Sequence, residues 1–152
     1  MSPNKLRVLV VDDSRVVRHV ITDAVSSSNE IQVVGHASNG EQALRMVAEL
    51  DPDAITLDLE MPKMGGFTFL RLLLARRSTP VIVLSSHDAT DNVFKALDLG
   101  AVDFIPKPPD PLLSPEPFKT DLVQKLLLTR HLMQRPRRSE ERRVGKECRS
   151  RW

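Results

Sequence analysis

The chain has 152 residues, with 22 Lys/Arg against 20 Asp/Glu and a pI near 8.9, which allows one domain of ordinary size and a short appendage but not two full enzyme domains. The basic excess is local: from Arg135 onward there are eight Lys/Arg and three Glu, so residues 1–134 sum to −3 within a total of +2. The only cysteine, Cys148, lies in that same stretch, which excludes a disulfide framework or a cysteine metal site from the body.

In chain order, β-branched apolar runs predict strands over 6–11, 31–36, 53–58, 80–85 and 102–106, alternating with segments of helical period. Ser14 caps a first helix with Val16, Val17, Val20, Ile21 and Ala24 on one stripe, ending near Ser26–Asn29. Asn39 caps a second, with Ala43, Leu44, Val47 and Leu50 inward, stopped by Asp51-Pro52. A third starts after Gly65-Gly66 with Phe67, Leu70, Leu73 and Leu74 inward and closes at Thr79-Pro80; a fourth runs from about Asp88 to Leu99 and stops at Gly100. Strand and helix alternating in this way predict an α/β fold, a parallel sheet covered on both faces.

Six prolines between 106 and 117 predict a stiff, extended, non-helical connection. Phe118, Leu122, Val123, Leu126 and Leu127 then give a fifth helix, which closes a domain over residues 5–130. Residues 131–152 form a tail. From Arg138 it reads RSEERRVGKECRSRW, without apolar periodicity, and resembles the read-through translation of a sequencing-library adapter. A solvated basic tail and a nucleic-acid arm rank behind that reading, and no nucleic-acid partner is expected for the domain. MSPNKLR is followed by no apolar signal core, and no run reaches spanning length, so a cytoplasmic protein without membrane insertion is expected.

The chemistry gathers at strand ends. VLVVDDS puts Asp12 and Asp13 after the first strand, AITLDLEMP puts Asp58 at the end of the third, VIVLSS puts Ser85 at the end of the fourth, and AVDFIPKP puts Lys107 just past the fifth. Carboxyl ends of parallel strands share one edge of the sheet, where α/β proteins bind ligands. Singly, an Asp after a strand is a turn or cap residue and a lone Ser or Lys is solvated; all of them at one edge is a pattern that chance explains poorly. Three carboxylates without thiol or imidazole suit a hard ion, Mg²⁺. A carboxylate is also a nucleophile toward phosphorus. Asp58 is the predicted phosphoacceptor, with Asp12, Asp13, Asp58 and the backbone carbonyl of Glu60 as metal ligands, and Lys107 and Ser85 on the phosphoryl oxygens. The histidines, His19, His36, His87 and His131, have no ligand spacing.

These residues and their wording resemble the response-regulator receiver domain. ITLDLEMPKMGG, VIVLSS and KALDLGAVDFIPKP are most similar to the N-terminal domain of chemotaxis protein-glutamate methylesterases. The resemblance implies a flavodoxin-like, doubly wound (βα)5 fold and a phosphoryl group delivered to Asp58 by a histidine kinase of the CheA type. It also implies a switch made of Ser85 and Phe104, a cis Lys107-Pro108 peptide, and control of a C-terminal methylesterase domain. Two features depart from that family. Gly65-Gly66 stands where Asp-Gly is common, predicting a more flexible loop, and no GxSxG elbow or triad is present, so these residues are not expected to be the esterase themselves. The alternative is a stand-alone or transcription-factor receiver that acts by binding protein or DNA. A haloacid-dehalogenase-like phosphatase, which places its nucleophile in a DxD pattern after strand one, ranks below both.

Overall fold

Leu6–Val11 forms β1, Ile31–Ala37 β2, Ala54–Asp58 β3, Val81–Ser85 β4 and Asp103–Pro106 β5, in a sheet of order β2-β1-β3-β4-β5 with every pairing parallel. The computed structural model describes residues 5–61, 64–86, 90–108, 110 and 116–133. The elements are β1, α1 (Arg15–Val25), β2 (Ile31–Ala37), α2 (Gly40–Leu50), β3 (Ala54–Asp58), α3 (Gly66–Leu74), β4 (Val81–Ser85), α4 (Thr90–Leu99), β5 (Asp103–Pro106) and α5 (Glu116–Met133). Reversal of strand order between β1 and β3 puts a crevice at their carboxyl ends.

Two cores follow from strand alternation. Val8, Val10, Ala54, Ile82, Leu84 and Ile105 point to the face covered by α1 and α5, where Ile21, Phe118, Leu122 and Leu126 meet them. Leu9, Val11, Ile55, Leu57, Val81 and Val83 point to the other face, against α2, α3 and α4. β3 and β4 are buried along their whole length, as central strands covered on both faces are. Among the described residues, no helix is long and apolar enough to cross a membrane.

The caps act as the sequence suggests. Ser14 Oγ accepts from the Val17 N–H at 3.2 Å and Asn39 Oδ1 from the Gln42 N–H at 2.9 Å, each satisfying an orphan donor of the first turn. Gly100, at φ 124°, ends α4 in a conformation that side chains disfavour.

The structure departs from the sequence reading at several element boundaries and packing positions. β3, β4 and β5 each begin one residue later than predicted, and β2 ends one later. Pro80 has no N–H for the ladder, although its carbonyl accepts from Ile55 N–H at 3.0 Å. α3 ends at Leu74 and not at Thr79-Pro80, and its fully buried aromatic is Phe69, with Phe67 half-buried under Lys95 Nζ, 5.0 Å from the ring centroid. Two phenylalanines two residues apart lie on different sides of a helix, and this segment is too uniformly apolar for its period to say which is inside.

The proline-rich segment is not wholly a connection. Pro106 ends β5, an edge strand, and Glu116-Pro117 open α5, where a first-turn proline loses no helical hydrogen bond. Described residues on either side of Pro62 and Lys63 are tied by the main chain: Gly66 N–H donates to Leu59 C=O (3.2 Å) and Gly40 N–H to Met64 C=O (3.0 Å). No peptide among the described residues is cis, Lys107-Pro108 included; the Lys107 N–H donates to Ser85 C=O at 2.8 Å. Asp88, His87 and the tail beyond Met133, with the adapter-like stretch, lie outside the described residues.

Candidate functional site

β1, β3 and β5 deliver the site through one parity. Asp12 lies two residues past Val10, Asp58 four past Ala54 and Lys107 two past Ile105, all residues of the α1/α5 face. The three side chains therefore leave the sheet edge on the same side and meet. Lys107 Nζ stands 3.0 Å from Asp58 Oδ1 and 3.5 Å from Asp12 Oδ2. Asp12, Asp13 and Asp58 each bring a carboxylate oxygen within 4.8 Å of the others, with Asp12 and Asp58 buried and Asp13 exposed.

Ser85 has the opposite parity, shared with Val81 and Val83 of the other core. Its hydroxyl donates to the Ser86 carbonyl at 3.4 Å, not to the carboxylates. Phe104, one residue before Ile105, faces outward and is 37% exposed. Glu60 is exposed, and its N–H donates to Asp58 Oδ1 at 3.0 Å. The structure thus brings Asp12, Asp13, Asp58 and Lys107 together, sets Glu60 beside them through its backbone, and leaves Ser85 and Phe104 turned away.

Burial, then the charge of Asp12, pushes Asp58 up to about 7, against the Glu60 N–H and the Lys107 ammonium that hold it down. Burial raises Asp12 as well, opposed by the Ser14 N–H and by Lys107. Burial lowers Lys107, but the neighbouring charges of Asp12 and Asp58 outweigh it and the net direction is up. Among the described residues, Asp58 Oδ2 meets no hydrogen-bond donor, and Asp12 Oδ2 meets only Lys107 at the outer limit of hydrogen bonding. Two buried anionic oxygens short of partners, beside a third carboxylate, are the donor set of a hard divalent cation. The residues present fit Mg²⁺.

One residue at this edge escaped the sequence reading. Arg18 Nη1 donates to the backbone carbonyl of Asp12 at 2.6 Å. A contact from α1 back to the β1–α1 turn has no periodic signature. Its one trace in the sequence is a basic residue on an otherwise apolar stripe.

The response regulator receiver domain family model matches residues 8–113. A protein-glutamate methylesterase/protein-glutamine glutaminase of Myxococcus xanthus is 46% identical over 132 residues, 86% of this chain and 38% of that protein. Its counterpart in Pyrococcus horikoshii is 41% identical over 125 residues, 80% of this chain and 34% of that one. The chain thus spans less than two fifths of the length of these curated relatives. Among solved structures, the response regulator domain of Thermotoga maritima CheB is 37% identical with TM-score 0.73, covering 88% of this chain and 99% of that one. The CheX-CheY-BeF3-Mg complex of Borrelia burgdorferi contains a chain 28% identical with TM-score 0.68, covering 81% and 87%.

Proposed function

The chain belongs to the response regulator receiver domain family, of the kind found in chemotaxis CheB-like proteins, and we propose from that premise that it accepts a phosphoryl group on Asp58 from a histidine kinase and thereby controls a methylesterase output. The observation that carries the reading is the pair of buried, partner-poor carboxylates, Asp12 and Asp58, held against one lysine.

In the proposed reaction an Asp58 carboxylate oxygen bonds to phosphorus as the bond from phosphorus to the donor's imidazole nitrogen breaks. The electron pair leaves with the imidazole, and an acyl phosphate remains. The Glu60 N–H and Lys107 hold one Asp58 oxygen and so fix the carboxylate's orientation. The carboxylates of Asp12, Asp13 and Asp58, with the Glu60 carbonyl, would hold Mg²⁺, which when bound offsets the negative charge brought by a phosphoryl group among carboxylates. A chain in the Borrelia complex, solved with Mg and BeF3, supports that cation. Lys107 is a fixed cation for the phosphoryl oxygens. Ser85 turns its hydroxyl from Ser86 toward the phosphoryl group, and Phe104, on the exposed side of β5, rearranges with it. A methylesterase domain as output is supported by the methylesterase relatives, which also favour this output over a DNA-binding one; a CheA-type kinase is the donor that goes with this reading.

The test is incubation with acetyl phosphate, with and without Mg²⁺, followed by locating the modified residue by mass spectrometry. Label on Asp58 that needs Mg²⁺ is expected. Equal labelling of wild type and Asp58→Asn would sink the assignment.

A further inference from the structure

Asp12 is fixed through its main chain on both sides. Its N–H donates to the Ala37 carbonyl at the end of β2 (3.0 Å), and its C=O accepts from Arg18 Nη1 at 2.6 Å. Its Oδ1 accepts from the Ser14 N–H at 2.9 Å, and Ser14 in turn caps the helix that carries Arg18. Within the helix, Arg18 N–H donates to Ser14 C=O (3.0 Å) and Arg18 C=O accepts from Thr22 Oγ1 (2.8 Å). The base from which the guanidinium reaches is therefore itself held.

Arg18 is half-buried, and among the described residues no carboxylate lies within salt-bridge distance of it. A surface ion pair does not account for the residue. Its hydrogen bond goes to the one peptide that joins the two adjacent acids, Asp12 and Asp13. Rotation of that peptide would move the Asp13 Cα relative to Asp12, and the spacing of their oxygens would change with it. A charge-assisted bond from a planar guanidinium resists such rotation more strongly than a neutral donor would.

We propose that Arg18 is a positioning residue for the acid pair: by holding the Asp12–Asp13 peptide it sets the spacing of their carboxylates and so the affinity of the site for a divalent cation, without touching cation or phosphoryl group. This rests on the reading of Asp12 and Asp13 as cation-binding acids. Residues behind a ligand shell typically carry tenfold to hundredfold effects on metal affinity.

The experiment is calorimetric titration of the full chain with Mg²⁺ alone, comparing wild type with Arg18→Gln, Arg18→Met, Arg18→Lys and Asp13→Asn, each with a melting temperature in EDTA. Arg18→Gln and Arg18→Met are expected to bind Mg²⁺ roughly tenfold more weakly at an unchanged EDTA melting temperature. Arg18→Lys should recover part of the loss, and Asp58 labelling should return to near the wild-type rate when Mg²⁺ is saturating. Asp13→Asn should lose most of the binding. Wild-type affinity in Arg18→Gln and Arg18→Met beside a loss in Asp13→Asn overturns the role of Arg18 and leaves the acid pair standing. Wild-type affinity in Asp13→Asn overturns the acid-pair reading itself. Should Arg18→Gln melt early in EDTA, Arg18→Met, which keeps the packing of the stem, decides.

Discussion

A Cβ on Gly66 would lie 2.7 Å from the backbone oxygen of Asp58 and 2.5 Å from the Cα of Leu59. The obstructing atoms are backbone, so nothing nearby can turn aside. The first residue of α3 must therefore be glycine for the helix to start directly against the strand end that presents Asp58. Gly66→Ala is expected to lower stability by roughly 1–3 kcal/mol and to slow Asp58 labelling as the loop shifts; chemical denaturation and labelling on the same sample check both.

Asp58 sets a pH dependence whose sign follows from its burial. Its folded value, raised to about 7 from the ordinary 3.8, means that the folded state binds the proton more tightly than the unfolded chain does. The resulting stability is fully present below about pH 4 and is lost as pH rises through 7. Asp12, also raised, adds in the same sense. His36, lowered by burial and by the Arg18 charge, acts oppositely: its share is present above about pH 6.5 and is lost on acidification. In EDTA, Asp58→Asn should therefore gain on wild type between pH 5 and 8, by on the order of 3 kcal/mol at the upper end. Denaturant curves across that range measure the difference, and a constant gap would refute it.

Lys107 offsets two buried carboxylates, so its removal leaves them uncompensated. Lys107→Met is expected to cost roughly 1–3 kcal/mol at pH 8 in EDTA and to enlarge the stabilisation that Mg²⁺ gives. Its labelling by a small phosphodonor should fall about 10–100-fold. Thermal melts with and without Mg²⁺, beside labelling time courses, give the three numbers.

Thr56 presents a different polar problem. It is fully buried in β3 between Val10 and Ile82, and among the described residues its hydroxyl has no hydrogen-bond partner. Thr56→Val keeps the shape and removes the orphan, and should stabilise the domain by about 1 kcal/mol. A loss of stability in the denaturation midpoint would mean that the hydroxyl has a partner, such as a buried water.

Much of this was legible in the chain because parallel strands buried on both faces must be largely apolar, and AITLD and VIVLS are, apart from Thr56 and the strand-end Asp58 and Ser85. The acids and the lysine were legible because strand ends are easy to place once the strands are. Which way each side chain points off the edge was harder to read, since Ser85 and Lys107 differ by one step of parity. The fifth helix extends two residues further back than its composition suggests because a helix's first turn makes no use of the N–H that Pro117 lacks. Arg18, the Gly40–Met64 tie and the choice of Phe69 over Phe67 are tertiary facts, set by what packs opposite.

Asp12, Asp58 and Lys107 come from β1, β3 and the end of β5, and no two of them are near in sequence. The site consequently exists only when the central β1·β3 pairing and the far edge of the sheet are both in place. Any ion or phosphoryl analogue it binds selects the fully assembled chain from all partly folded forms, and raises the population of that chain by mass action. A binding signal from this protein is at the same time a count of the molecules that have finished folding.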